Sequence, residues 1–201
     1  MITATILAAG TSSRMGFPKA LLRFHNRTFL QTILDATEAL GVQRVVVVGA
    51  DSDNILSDHD LHDVKVVYNE EMEAGPIGSI RASVREVRGH PVDGLLIWPV
   101  DFPHVALETV RILIDAFKQG KADVVLPQYE ERRGHPVIFG RSVFEELLTV
   151  PDTEGARGVV RAQPERVLQV PVEDSAVVDQ LNTPEAYQDL LRREDLFRHG
   201  E

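Results

Sequence analysis

The 201-residue sequence contains no cysteine. Disulfide frameworks and thiolate metal centres are therefore excluded, and a reducing, cytoplasmic setting is the expectation. No apolar run approaches the roughly 18–20 residues that a membrane-spanning helix needs. The chain opens without a basic stretch followed by an apolar core and cleavage site, so neither export nor a membrane partner is expected. Positive charge is in short supply: 21 Lys and Arg face 31 Asp and Glu, a formal net charge of −10. That balance speaks against nucleic acid and anionic membranes as partners. Acid is missing from one region. No Asp or Glu precedes Asp35, whereas Arg14, Lys19, Arg23 and Arg27 all fall in that stretch. An acidic chain with an acid-free, glycine-containing opening is expected to use it on an anion.

Repeats, low-complexity tracts and linkers are absent, and 43% of the residues are hydrophobic. One domain over residues 1–201 is expected, with a polar C-terminal tail from about residue 192 that frays. Strand-like apolar runs fall at 3–7, 44–48, 64–68, 94–99, 123–127, 136–139 and 166–170. Several are unbroken Val, Ile and Leu, as strands buried on both faces should be. Helical periodicity falls between them at 29–40, 77–87, 105–119, 142–148 and 184–197. Trp98, inside an apolar run, reads as core. The alternation predicts an α/β fold: a mostly parallel sheet with helices on both faces, and a ligand at the carboxyl ends of the strands.

The segment LAAGTSSRMGFPK, residues 7–19, follows the first strand. It is neither G-x-x-x-x-G-K-[ST] nor G-x-G-x-x-G, so ordinary P-loop ATPases and dinucleotide-binding dehydrogenases fit poorly. The physics still suits a triphosphate. Leu7, Ala8, Ala9 and Gly10 let backbone approach a nucleotide closely, and successive N–H groups in such a turn attract anions. Arg14 adds a planar fork for phosphate oxygens and Lys19 a point charge. Asp101 follows the apolar run 94–99, where its carboxylate either binds Mg²⁺ together with phosphate oxygens or shapes a turn before Pro103. Asn182 precedes Thr183-Pro184 at a helix start and either completes the metal shell or holds a turn. Gly75, Gly78 and Ser79 offer small residues for a base and ribose to lie against, with helix capping the rival role for Ser79. Arg81 is expected on the solvent side of the same helix. His59 and His62 fall in an acidic stretch that reads as a solvated loop rather than a metal cluster.

The opening segment, written L-A-A-G-x-S-x-R-M-G-x-P-K, resembles the signature of the MobA-like nucleotidyltransferases. More narrowly it is similar to the molybdenum cofactor cytidylyltransferases, with the molybdopterin guanylyltransferases close by. Gly75-Pro76-Ile77-Gly78-Ser79-Ile80, Val100-Asp101-Phe102-Pro103, Gly134-His135-Pro136-Val137, Gly155-Ala156-Arg157-Gly158 and Leu181-Asn182-Thr183-Pro184-Glu185 match further family segments in order. The resemblance implies a single three-layer, Rossmann-like nucleotidyltransferase domain. It implies transfer of a nucleoside monophosphate to the phosphate of molybdopterin, with Mg²⁺ on Asp101 and Asn182. Arg14, Lys19 and Asp101 would be catalytic. Leu7, Ala8, Ala9, Gly10, Gly75, Gly78 and Ser79 would bind the nucleotide, and His135 and Arg157 the second substrate. A molybdoenzyme would then receive the product. Asn182 departs from the Asp that many cytidylyltransferase relatives carry. Ala9, where guanylyltransferases usually have Gly, favours CTP over GTP. The alternatives are guanylyl transfer, cytidylyl or sugar-phosphate nucleotidyl transfer, or a nucleotide-binding regulator without turnover.

Overall fold

The computed structural model describes residues 1–10, 17–24, 26–49 and 52–198. Arg14 lies outside the described residues. In chain order the elements are β1 (Ile2–Leu7), β2 (Arg23–Phe24), β3 (Arg27–Thr28), α1 (Phe29–Ala39), β4 (Gln43–Val48) and α2 (Ser52–Ser57). Then follow β5 (Val64–Tyr68), α3 (Pro76–Val87), β6 (Gly94–Pro99), α4 (Leu107–Lys118), β7 (Val124–Tyr129) and β8 (Arg132–Arg133). The last are β9 (Val137–Gly140), α5 (Phe144–Thr149), α6 (Gly155–Ala162), β10 (Val167–Pro171) and α7 (Pro184–Arg198). The main sheet has the order β10-β7-β9-β6-β1-β4-β5, with β8 paired to β7.

β1 lies parallel between β4 and β6, with Leu7 opposite both Val47 and Pro99. β5 on β4 and β10 on β7 are parallel too. β9 runs antiparallel to β6 and to β7. The chain from Tyr129 to Val137 is too short for the crossover of about a dozen residues or more that a parallel return would require. The mostly parallel α/β architecture expected from the sequence is therefore observed, with β9 reversed inside it and the short β8 antiparallel on β7.

Side-chain alternation along each strand builds two cores. Ala4, Ile6, Val46, Val48, Leu96, Trp98 and Ile138 face one side, against Phe29, Leu30 and Ile33 of α1 and Val110 and Leu113 of α4. Val45, Val47, Leu95, Ile97, Val137 and Phe139 face the other, against Ile77, Ile80 and Val84 of α3, Leu147 of α5 and Val159 of α6. Apolar side chains on both faces explain the unbroken Val/Ile/Leu runs. Thr28 caps α1 by accepting the Gln31 N–H at 3.0 Å.

Three expectations change. The polar stretch from residue 192 continues α7 to Arg198 rather than fraying at its start. Arg193 also reaches Asp179 at 2.7 Å. Two short helices, α2 and α6, appear where periodicity over so few residues gives little signal. His59 is buried rather than solvated. Its Nε2 lies 2.5 Å from Thr28 Oγ1 and its Nδ1 2.7 Å from the Ile55 carbonyl, so both ring nitrogens are used in holding α2 to α1. No helix among the described residues is long and apolar enough to cross a membrane.

Leu96 sits fully buried in the central strand β6. Leu96→Ala removes apolar contacts and leaves a void, so urea unfolding should show a loss of about 2–5 kcal/mol. A loss well below that range would mean that the core collapses onto the gap.

Candidate active site

The parallel strands end at one edge of the sheet, and a cleft of about 750 Å³ opens there. This lies within the roughly 300–1,000 Å³ typical of small-molecule sites. Its floor comes from the ends of β1 and β6. Leu7, Ala8, Ala9 and Gly10 line one part, and Pro99, Val100 and Asp101 another. The Ala8 N–H extends the β1–β4 ladder to the Val47 carbonyl at 2.8 Å, and the Val100 N–H bonds the Leu7 carbonyl at 3.1 Å. Both loops therefore start from fixed backbone. The buried Trp98 does more than fill the core. Its indole N–H donates to the Phe102 carbonyl at 2.9 Å and pins the turn that carries Asp101.

Three predicted residues, distant in sequence, meet at this point. Lys19 Nζ lies 3.3 Å from Asp101 Oδ2 and also donates to Asn182 Oδ1. The Leu181 N–H donates to the Asp101 backbone carbonyl at 3.1 Å, which ties the segment carrying Asn182 to the Asp101 turn. Gln180, which sequence reasoning missed, donates from Nε2 to Asp101 Oδ2 at 2.6 Å. Lys19 is not the exposed post-turn residue that Pro18 alone would suggest: its side chain is only 15% accessible. The two oxygens proposed for a metal already share one cation, the Lys19 ammonium. A carboxylate and a carboxamide oxygen that converge on a common cation fit a hard divalent ion, which takes a few protein oxygens and completes its shell with phosphate and water.

Along the adjoining wall, Gly75 has φ +69°, a conformation that suits glycine, and it opens the N-terminus of α3 with Pro76 in the first turn. The helix end turns peptide N–H groups and the positive end of its dipole toward the cleft. Gly75 and Ser79 line the cleft. Ser79 is the fourth residue of α3 and does not cap it. Gly78 departs from expectation: it faces the preceding loop, not the cleft. A Cβ there would meet the Glu71 carbonyl at 2.3 Å and Asn69 Oδ1 at 3.0 Å. Gly78 is needed for close packing of that loop on α3.

His135 and Arg157 line the far side of the cleft. The His135 peptide N–H donates to the Val177 carbonyl at 2.8 Å, and its ring packs against Phe102 with centroids 5.0 Å apart. Its Nδ1 is enclosed and has no partner among the described residues. Burial pushes the imidazole below its ordinary value, Asp101 opposes this, and the Arg157 charge adds to it. Arg81 corrects another expectation: it is buried, not on the solvent side of α3. It contacts Glu71 at 3.0 Å, Asp152 at 2.7 Å and the Val150 carbonyl at 2.6 Å. These contacts tie the segment before α6, and with it Arg157, to α3. A cationic side chain on an otherwise apolar helix face was the available signal, since such a group is buried only when paired. Arg85 and Arg81 together hold the Glu71 carboxyl below the usual carboxylate range.

A mostly parallel α/β sheet with a glycine-bearing first loop, a helix N-terminus and a Lys–Asp–Asn cluster around one cleft defines a nucleotide-binding domain of the transferase type. Residues 4–167 match the model of the MobA-like NTP transferase domain, and the chain belongs to that family. It is 26% identical to a protein of Opitutus terrae named "Probable molybdenum cofactor guanylyltransferase", over 92% of both chains. It is 20% identical to the molybdenum cofactor cytidylyltransferase of Escherichia coli K12, over 92% of this chain and 93% of that one. For the similarly named guanylyltransferases of Rhodopirellula baltica and Bacillus mycoides, the chain spans only 66% and 62% of their lengths. Among solved structures, Rv0371c of Mycobacterium tuberculosis H37Rv superposes with a TM-score of 0.82 at 30% identity, covering 95% of this chain and 98% of that one. A manganese complex of Rv0371C gives 0.78 at 28% identity, with the same coverage.

The depressed His135 value has a stability consequence. Protonation favours the unfolded chain, where the imidazole titrates near its ordinary value of about 6.5. The contribution of neutral His135 is complete above that pH and is lost as pH falls toward the lower folded value. Urea unfolding at pH 7.5 and 5.0 should show a larger loss on acidification for the wild type than for His135→Asn. Equal losses would place the imidazole in a solvated setting.

Proposed function

We propose that this protein transfers a nucleoside monophosphate from a nucleoside triphosphate to the terminal phosphate of a molybdopterin-type substrate, releasing pyrophosphate. The observation that carries this reading is the meeting of Lys19, Asp101 and Asn182 in the cleft that Leu7 to Gly10 also line. The triphosphate lies along the opening loop from Leu7 to Gly10, and the base and ribose lie against Gly75 and Ser79 at the start of α3. An oxygen of the acceptor's phosphate attacks the α-phosphorus. The new P–O bond forms as the α–β bridging bond breaks, and pyrophosphate leaves with the electron pair. The acceptor phosphate is already ionised near neutral pH, so no general base is required, and the cations, amides and N–H groups of the cleft serve the phosphates. Catalysis is then positioning and neutralisation of charge that grows on the departing pyrophosphate.

Asp101 and Asn182 would hold the divalent metal, for which we propose Mg²⁺; when bound it would neutralise phosphate charge and orient the triphosphate. Lys19, released from the two oxygens, would then serve the phosphates. Arg14 would join it from the opening loop. Arg157 supplies positive charge for the acceptor's phosphate. His135, held neutral by burial, would give a hydrogen bond rather than a charge. Turnover distinguishes this reading from a nucleotide-binding regulator. Incubation with molybdopterin and each nucleoside triphosphate, followed by mass measurement of the product and assay of pyrophosphate, tests it directly. A dinucleotide product is expected, and pyrophosphate release only with another acceptor would redirect the assignment.

For the base we favour CTP, since Ala9 lines the cleft with a methyl group where a larger purine would need room. Relatives of both names align with the chain, so guanylyl transfer is the second reading. Ala9→Gly should raise the kcat/KM for GTP relative to CTP. One methyl shifts discrimination by about 1–3 kcal/mol, so relaxation rather than a full switch is expected. An unchanged ratio would move the discriminator to another wall of the cleft.

Lys19→Met keeps the apolar stem and removes the charge. If Lys19 acts on the leaving pyrophosphate, kcat should fall by about two to three orders of magnitude while nucleotide affinity changes less. Lys19→Arg should recover only part of the loss. Asp101→Asn should nearly abolish turnover with the fold retained, and Asn182→Ala should cost less, because a neutral oxygen contributes less to holding a divalent cation. Steady-state kinetics at saturating metal decide, and near-normal kcat in Lys19→Met would reduce the loop to a nucleotide holder.

A further inference from the structure

We propose that Asn69 is a positioning residue that fixes the polarity of the Ser79 hydroxyl, making it a hydrogen-bond donor to an oxygen of the bound nucleotide. The inference rests on the nucleotide reading above and adds to it the sign of one recognition contact. Asn69 follows β5 at the carboxyl edge of the sheet, where its peptide N–H bonds the Val48 carbonyl at 2.9 Å. Asn69 and Ser79 are both buried and both line the cleft.

A carboxamide can face a hydroxyl with either end, and a third group decides which. The Glu71 peptide N–H can only donate, and it meets Asn69 Oδ1 at 2.9 Å. The oxygen is thereby committed to that side. Nδ2 must face Ser79 Oγ, from which it is 3.1 Å away. An amide NH₂ offers no lone pair, so Ser79 Oγ accepts that bond. The Ser79 carbonyl is occupied by Ser83 Oγ at 3.0 Å. No acceptor for the Ser79 hydroxyl proton lies among the described residues, so the proton is left for a group in the cleft. Gly78 makes the arrangement possible, because any Cβ there would press on Asn69 Oδ1 and the Glu71 carbonyl. The ligand chemistry is an acceptor oxygen, found on a nucleotide as a base carbonyl or a ribose hydroxyl.

Asn69→Asp tests the polarity, because it is close to isosteric and leaves no partner unsatisfied. One carboxylate oxygen still accepts from Glu71. The other must now accept from Ser79 O–H, which turns Ser79 lone pairs toward the cleft. We would measure the Kd of CTP and GTP by calorimetry, with Mg²⁺ and without acceptor, for wild type, Asn69→Asp, Ser79→Ala and the double variant. Each single variant should weaken binding of the preferred nucleotide about tenfold or more, and the double variant should bind like Ser79→Ala. A carboxylate that merely repelled the triphosphate would weaken binding equally in the Ser79→Ala background. Such additive losses, or an unchanged Kd in Asn69→Asp, overturn the inference while leaving nucleotide binding intact. Wild-type protein that binds neither nucleotide overturns the functional reading and this inference together. If Asn69→Asp fails to fold, Ser79→Ala still decides, since unchanged affinity there removes the donor. Repetition with 2′-deoxy and 3′-deoxy nucleotides locates the acceptor. A Ser79→Ala penalty that vanishes with either places it on the ribose, and one that persists with both places it on the base.

Discussion

The placement of β1 between two parallel neighbours is the constraint on which the rest of the site depends. With β4 and β6 running in the same direction and Leu7 opposite both Val47 and Pro99, three chain segments leave the sheet at one level. β5 joins them through its pairing with β4. The opening loop, Asp101 and Asn69 are thus set side by side although nearly the whole N-terminal half of the chain separates them. The two apolar cores keep this register. Shifting a strand by one residue would move every buried Val and Leu to the other face. Core burial, worth about 1.5–3 kcal/mol for each large side chain, therefore also holds polar groups that contribute no such burial of their own.

Within that frame, charge is arranged by local pairing rather than by net sign. The protein is acidic overall, yet under the proposed function its cleft would admit a triphosphate and a second anion. Lys19 answers Asp101, while Arg81 and Arg85 answer Glu71, and Arg81 also answers Asp152. With those carboxylates paired, the cationic Arg157, the Glu154 carboxylate and the α3 N-terminus contribute to the local field. The buried Arg81 has a mechanical part as well, because its bonds to Glu71, Asp152 and the Val150 carbonyl hold two walls of the cleft at a fixed separation. Removing it would leave Glu71 with Arg85 alone and deprive Asp152 and the Val150 carbonyl of their partner near the site, a cost that an exposed arginine would not carry.

How much of this was legible in the sequence depends on the range of the interaction. The long strands and helices were readable because each repeats one period over enough residues to show. Asp101, Ser79, His135, Arg157 and Asn182 were readable as candidates because each lies in a short motif, and the fold brings all five to the cleft. Gln180 and Asn69 were not. Each is an ordinary amide in a loop, and its importance arises from a single long-range partner, Asp101 for one and Ser79 for the other. Arg81 and His59 were misplaced for the same reason. A charged or ring side chain reads as solvated from its type alone, and only the folded chain shows the carboxylates, hydroxyl and carbonyls that satisfy it in the interior. Gly78 was read as space for a ligand when the space is taken by a neighbouring loop.

The position of Lys19 joins the resting site to the proposed reaction. Its ammonium now occupies the place between Asp101 and Asn182 that a divalent cation would claim. Only one of those two ligands is charged. A lone carboxylate and a carboxamide form a weak cation site by themselves, and the ammonium satisfies both. In the proposed reaction a triphosphate would alter the balance by offering oxygen ligands to the metal and, at the same time, an alternative partner to the lysine. The neutral Asn182 is then consistent with the arrangement: a second carboxylate would strengthen the hold on Lys19 and on the metal alike. In the proposed reaction a weaker pair would let the lysine follow the negative charge as it moves onto the leaving pyrophosphate.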